Sequence, residues 1–568
     1  MGLGPIARSG RKRLRPWIAV SAAVVLAGGA AIGATAASAS TSSSPSFVGY
    51  HTPATESAVL YDHTNNTKTP IKHLVVLFDE NISFDHYFGT YPYATNTDGT
   101  KFTAKRGTPT VNGLYTKITK NGPVGLLLTS NPNEFNPQLL SPSEALTCDQ
   151  NHGYTPEQEA VDNGKMDKFV QDTQQDDCST TGEYYGPDGI VMDYYDGNTV
   201  TGLWNYAQNY AMSDNNYDDT YGPSTEGAIA VTSGLSADGE AVSPSTGQEV
   251  SDTGSVQNGT IYGDIDPYYD ECSDTNHTST NPEGVMTGEN IGDLLNAKHV
   301  TWGWFQAGFA PTSTNSGGAV CGAQSENIDG TPLTEYTPHW NPFQFNATTA
   351  NPAHLAPSSE AAIGRTDQAN HQYDLSDFAE TLKDGNLPSV SFLKPSTAQS
   401  GHEGESDPLD EQQFIVNTVN SIEKSKYWSS TAIVITYDDS DGFYDSAVPP
   451  TLNGSDNAAI DTTMCESAKI VLGSSDGRCG LGQRLPMVVI SPYTRSNYVS
   501  NNLTDTSSVV KFIEDNWLNS KRIPDSYDAV SGSLDGRGGL LDFNVRPDFN
   551  RIILNPTTGA VVSDTRQW

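Results

Sequence analysis

Ile71-Lys-His-Leu-Val-Val-Leu-Phe-Asp-Glu-Asn-Ile-Ser-Phe-Asp-His-Tyr-Phe-Gly89 joins a buried-strand pattern directly to a set of oxygen ligands. The run Leu74 to Phe78 is apolar without alternation, which predicts a central parallel strand covered on both faces. Asp79, Glu80 and Asn81 follow at once, at what would be the strand's carboxyl end. Open α/β sheets bind ligands outside that edge, so hard oxygen donors there are placed to hold a cation. An ordinary polar strand-to-loop transition would look the same, so partners elsewhere must decide.

One partner is Ala432 to Tyr437, a second apolar strand candidate that runs straight into Asp438-Asp439. If both strands are parallel members of one sheet, Glu80, Asn81, Asp438 and Asp439 meet at one edge, although about 360 residues separate them. An all-oxygen set suits a divalent metal cation such as Mg²⁺, Ca²⁺, Mn²⁺ or iron, and not a thiolate zinc site. The competing account makes Asp438 to Gly442 a simple turn. Asn81-Ile82-Ser83 also matches a glycosylation sequon, a tripeptide frequent by chance.

Tyr221-Gly-Pro-Ser-Thr225 predicts a tight turn entering a helix over Glu226 to Ser233. A helix N-terminus offers free N–H groups to a phosphoryl oxygen, and a serine hydroxyl beside a cation can act as a nucleophile. Ser224 is therefore a candidate nucleophile, with Thr225 as its rival and a plain N-cap as the alternative role. His152, His339 and His402 stand in polar segments containing Gly or Pro, where they could bind phosphate or protonate a departing alkoxide. Each could equally be a surface histidine.

Further buried-strand candidates lie at His299 to Phe305, Ser389 to Leu393 and Met487 to Ile490. Helical patterns occur near Pro156 to Asp172, Thr201 to Met212, Ile291 to Lys298, Leu375 to Lys383 and Asp410 to Lys424. This alternation predicts an α/β fold with a large, mostly parallel sheet flanked by helices and decorated by long loop insertions. The expected organisation is an irregular arm over 40–68 and a single domain over 69–568. A polar insertion at about 234–288 interrupts that domain.

The first 39 residues place Arg8, Arg11, Lys12, Arg13 and Arg15 before an Ala-rich apolar run and Ala37-Ser-Ala39, the order of a cleaved secretory signal peptide. Their arginines are not adjacent, which favours the general export route over the twin-arginine one. No later segment has the roughly 18 consecutive apolar residues of a membrane span, so no stable membrane anchor is expected. The formal charge is −37, and −42 without the five basic residues of the leader. That charge excludes nucleic acid as a partner and requires local positive charge wherever a phosphate ester binds. The six cysteines contain no Cys-x-x-Cys pair, so up to three disulfides are expected, paired in sequence order.

Asp79-Glu-Asn-Ile-Ser-Phe-Asp-His-Tyr-Phe-Gly89 is similar to the Glu-Asn-Arg-Ser-Phe-Asp-His-Tyr-Phe-Gly signature of the bacterial phosphoesterase family, which includes phospholipases C and acid phosphatase A. That family belongs to the alkaline-phosphatase-like superfamily. The resemblance continues through Lys165-Met-Asp167, Gly222-Pro-Ser224, Asn341-Pro-Phe343, Leu387-Pro388, Thr436-Tyr-Asp-Asp439, Gly442-Phe-Tyr-Asp445, Leu485 to Tyr493 and Phe512-Ile-Glu514. It implies an alkaline-phosphatase-like fold with a metal held by Glu80, Asn81, Asp438 and Asp439. Ser224 would be both ligand and nucleophile, forming a phosphoseryl enzyme that water hydrolyses. His152, His339 and His402 match family histidines around the phosphate.

The departures bear on substrate. His339-Trp340 stands where many members have His-His, and Ser446 where a histidine is frequent. Gly222-Pro-Ser-Thr-Glu-Gly-Ala228 is closer to the Gly-Pro-Ser-Thr-Pro-Gly-Ala of phosphatase-like members than to the Gly-Pro-Thr-x-Pro-Asn-Arg of phospholipases C. Little chain follows the last motif, whereas several phospholipases C carry C-terminal β-domains. The expectation is a secreted, metal-dependent phosphoric-ester hydrolase that prefers a small phosphate ester. A phospholipase C acting on phospholipid is the alternative. A catalytically silent binding protein on the same fold rests on Trp340 alone.

Overall fold

The computed structural model describes residues 66–565, apart from 116, 120–121, 176–183, 252 and 474–475. The expected leader, most of the arm and Cys178 lie outside the described residues.

An eight-stranded sheet organises the chain. Its strands are β1 (His73–Asp79), β2 (Ala211–Ser213), β3 (Trp302–Gln306), β4 (Gln372–Asp374), β5 (Val390–Lys394), β6 (Thr431–Tyr437), β7 (Met487–Ile490) and β8 (Tyr498–Ser500). Their spatial order is β4-β3-β5-β1-β6-β7-β2-β8. All pairings are parallel except those of β7, which runs antiparallel to both β6 and β2.

β1 lies near the middle and its two faces feed different cores. Val75 and Leu77 pack with Trp204, Tyr206, Phe414 and Ile415 on one side. Leu74, Val76 and Phe78 pack with Ala228, Val231, Leu294 and Val510 on the other. That double burial is why the strand reads as an unbroken apolar run, each large side chain contributing about 1.5–3 kcal/mol.

The helices used below are α1 (Phe84–Phe88), α2 (Tyr154–Val161), α3 (Thr201–Asn209), α4 (Ser224–Ser233), α5 (Ile291–Ala297), α6 (Leu375–Asp384), α7 (Pro408–Lys424) and α8 (Ser508–Trp517). Two expectations need correction. The helix predicted over Thr201 to Met212 stops at Asn209, because Tyr210 leaves helical geometry at φ −127°, ψ −135° and Ala211–Ser213 joins the sheet as β2. The acidic helical stretch near Pro156 to Asp172 breaks after Val161, where Asp162 and Asn163 take φ of 42° and 55°.

Within 234–288 the chain forms short antiparallel pairs, Gly239–Val242 with Glu283–Met286 and Val256–Gln257 with Thr260–Ile261. A small apolar cluster of Ala241, Val256, Ile261, Ile265 and Met286 packs there against Ile229 and Phe345. Disulfides join Cys272 to Cys321 and Cys465 to Cys479, neighbours in sequence as expected. No helix among the described residues is long and apolar enough to cross a membrane.

Candidate active site

The register of β1 with β6 runs from His73 opposite Thr431 to Asp79 opposite Tyr437. Continuing it by one residue brings Glu80 and Asp438 out of the sheet side by side. Asn81 then turns sharply, at φ 60°, and its N–H donates to Asp438 Oδ1 at 2.9 Å. α4 delivers Ser224 to the same edge. Its hydroxyl oxygen lies 3.1 Å from Glu80 Oε2, 3.2 Å from Asp439 Oδ2 and 3.5 Å from Asn81 Oδ1. The helix can approach this closely because Gly227 has no side chain: a Cβ there would sit 2.1 Å from the Asp438 carbonyl oxygen.

One hydroxyl proton can satisfy only one of the three surrounding oxygens, which leaves acceptor facing acceptor in a buried site. Glu80, Asn81 and Asp438 are 0% exposed and Asp439 1%. Asp438 Oδ2 has no hydrogen-bond partner among the described residues. Burial pushes the Asp439 carboxyl well above the usual range; His152 opposes the shift and Asp438 adds to it. Converging, unshared carboxylate oxygens of this kind fit a hard divalent cation, which Glu80, Asn81, Asp438, Asp439 and Ser224 could hold.

A lysine, Lys394, which the sequence reading missed, stands among these ligands. It ends β5, next to β1 in the sheet, and is fully buried. Its ammonium pairs with Glu80 Oε1, lies 3.6 Å from Asp438 Oδ2, and is 4.7 and 4.8 Å from the ring centroids of Phe78 and Trp340. A lysine closing the apolar run Val390 to Leu393, at the edge shared with Glu80, was the available clue.

The histidines are placed differently from one another. His152 Nδ1 is 2.8 Å from the Gln150 carbonyl and 3.0 Å from Asp441 Oδ1, which leaves Nε2 as its further donor when charged. Burial lowers its pKa, but Asp439, Asp441 and Asp149 more than reverse this, and the net value is well above the ordinary one. His402 Nδ1 lies 2.6 Å from the Glu403 carbonyl, so Nε2 accepts from the Asn81 amide at 3.2 Å. The two rings are 6.2 Å apart. His339 sits further out, 4.0 Å from Asp264 and 3.6 Å from Asp266. Burial alone would lower its pKa, yet the two aspartates raise it to about 9. Trp340 follows it, buried, with its ring 6.5 Å from that of His402 and its indole N–H unpartnered among the described residues.

Thr225, the rival nucleophile, has its N–H and hydroxyl committed to Asp264 Oδ1 at 3.1 and 2.9 Å, away from the carboxylate cluster. Asp85 and His86 are structural. Asp85 and Asp445 each lie 3.0 Å from the buried Arg484 guanidinium. His86 contacts the Asp193 carbonyl at 2.7 Å, and burial pulls its pKa down to about 3. Glu157 of α2, also unforeseen, accepts from Gly222 N–H at 3.1 Å and from the Ser440 hydroxyl at 2.5 Å, tying the turn before Ser224 to the loop after Asp439. Asp149, His152 and Asp441 form a neighbouring group whose ligand-type atoms lie within 4.8 Å of one another.

The structure thus sets an oxygen-ligand cluster and a helix-start serine at the carboxyl edge of an α/β sheet. Residues 71–518 match the Phosphoesterase family, and the chain belongs to that family. It is similar to the non-hemolytic phospholipases C of Burkholderia pseudomallei, 25% identical over 80% of this chain and 56% of that one, and of Pseudomonas aeruginosa, 23% over 78% and 53%. The chain therefore spans about half the length of these relatives. Phospholipase C A of Mycobacterium tuberculosis is 31% identical over 24% of this chain and 26% of that one. Among solved structures, a protein in the alkaline phosphatase superfamily from Vibrio parahaemolyticus overlaps 55% of this chain and 59% of its own, at 13% identity and a TM-score of 0.23.

Proposed function

We propose that this protein is a secreted, metal-dependent phosphoric-ester hydrolase with Ser224 as its nucleophile. The observation that carries the reading is the placement of the Ser224 hydroxyl at the first turn of α4, 3.1 to 3.5 Å from oxygens of Glu80, Asp439 and Asn81. A divalent cation held by those residues and Asp438 would supply positive charge that lowers the proton affinity of the hydroxyl and offsets phosphoryl charge. Ser224 Oγ then gives up its proton to water and forms a bond to phosphorus as the bond between phosphorus and the ester oxygen breaks. Charged His152 and His339 hold the phosphoryl oxygens, and a histidine of this group gives the departing alkoxide its proton. His402 holds Asn81 in place while its Nε2 accepts the amide hydrogen. Water finally cleaves the phosphoseryl bond, returning the serine and inorganic phosphate.

The Gly-Pro-Ser-Thr turn favours a small monoester as substrate. The phospholipase C relatives over four-fifths of the chain support a second reading, cleavage of a phospholipid diester. Turnover of p-nitrophenyl phosphate compared with phosphatidylcholine separates the two, and cleavage of lipid alone would reverse the preference. Ser224→Ala should abolish turnover of either, by about 10³-fold or more, with the fold intact by circular dichroism. Full activity in that variant would remove Ser224 from the chemistry.

A further inference from the structure

Three buried carboxylates, Glu80, Asp438 and Asp439, face one ammonium, Lys394, at the carboxyl edge of the sheet. Their formal sum is −2, the charge a single divalent cation would cancel. Asp441 is matched by His152 at 3.0 Å. Without Lys394 the same ligands around the same cation would be net negative and would repel an anionic phosphoryl group.

We infer that Lys394 is the charge-balancing and positioning residue of this site, offsetting one of the three ligand carboxylates when a divalent cation is bound so that a phosphate ester can enter. The geometry supports a fixed role. The ammonium takes Glu80 Oε1, which leaves Oε2 facing the Ser224 hydroxyl at 3.1 Å. Phe78 and Trp340 contribute ring faces near 4.7 and 4.8 Å, so the charge is held by aromatic walls, without water access, and cannot swing away. The inference rests on the proposed phosphoesterase site and adds what tunes its charge.

A purely structural lysine and a charge-balancing one predict opposite results. Loss of a structural prop loosens the ligands and weakens metal binding. Loss of a balancing charge removes repulsion from the incoming cation, and even with water-like screening a unit charge at contact range changes the affinity for a doubly charged ion by about tenfold or more. The test titrates Mn²⁺ alone into metal-stripped wild-type protein, Lys394→Met and Lys394→Arg by calorimetry. It then titrates inorganic phosphate into each Mn²⁺-loaded form.

Lys394→Met should bind Mn²⁺ about tenfold or more tighter and phosphate about tenfold or more weaker, while Lys394→Arg stays near wild type in both. If the Met variant does not fold, Lys394→Gln, which keeps a donor to Glu80 without the charge, gives the same two readouts. Mn²⁺ affinity equal to or below wild type in a folded, uncharged variant would overturn the inference. Mn²⁺ binding is read without turnover, so wild-type protein that binds Mn²⁺ but hydrolyses no ester would overturn the proposed function and leave the role of Lys394 standing.

Discussion

Gly227→Ala is the smallest change that should separate Ser224, the proposed nucleophile, from the carboxylates around it. Gly227 lies in α4, three positions after Ser224. A Cβ built there meets the Asp438 carbonyl oxygen at 2.1 Å, its carbon at 2.6 Å and its Cα at 2.8 Å. Ordinary contacts between such atoms are about 3.5 Å, and all three are backbone at the end of a central strand, so α4 has to retreat by roughly 1 Å. Ser224 moves with it, and its 3.1 and 3.2 Å approaches to Glu80 and Asp439 open by a comparable amount. Misplacement on that scale costs about 10²-fold in turnover. The sign of the stability change is equally informative. In a free helix, Gly to Ala stabilises by about 0.5–1 kcal/mol, whereas overpacking here should cost about 1–3 kcal/mol. Turnover of p-nitrophenyl phosphate and urea unfolding measure the two effects. An alanine variant that is more stable and within threefold of wild-type activity would show that the contact between α4 and β6 does not set the position of Ser224.

Two further predictions follow from charges outside the ligand cluster. Arg484→Met leaves Asp85 and Asp445 buried together without their cation and should destabilise the fold by about 3–5 kcal/mol in denaturant unfolding; a loss under about 1 kcal/mol would mean the triad is not structural. His339 has its pKa raised to about 9, so its charged form persists through neutral pH and is lost as pH rises through that value. Activity should therefore fall on the alkaline side near pH 9, and Asp264→Asn with Asp266→Asn should move that limb down toward the ordinary histidine value of about 6.5 in a profile of kcat/KM. An unmoved limb would take His339 out of substrate binding.

The convergence of the candidate ligands could be read from the sequence because parallel strands buried on both faces leave an unambiguous mark. Leu74 to Phe78 and Ala432 to Tyr437 each end in adjacent acidic residues, and the observed pairing of β1 with β6 brings those ends together. The sequence could not show the direction of β7, since Met487 to Ile490 has the same apolar run in either sense. It also hid β2, β4 and β8, each three residues long and too short to establish a period. Asp85 could be taken as supporting structure, but its partner Arg484 was out of reach for another reason: a buried ion pair across 399 positions leaves no local pattern in either segment. Glu157 was hidden in the same way, reading as one more acid on an acidic helix until its carboxylate is seen to join Gly222 to Ser440.

Trp340 and Lys394 explain each other better than either is explained alone. As a substitution for the second histidine of His-His-Asn-Pro-Phe, Trp340 looked like the loss of a phosphate contact. In the fold its ring is one of two aromatic faces near the Lys394 ammonium. A histidine in that position would be a second titratable cation beside a buried one, and the two would compete for the same carboxylates. An indole cannot be protonated at any relevant pH, and its face attracts the ammonium. The exchange of histidine for tryptophan thus leaves positive charge at the inner wall to Lys394 and at the outer rim to His339, whose partners Asp264 and Asp266 are partly exposed. On this account Trp340 is no sign of a silent site, because the charge that a second histidine would bring is already present in a residue that cannot leave.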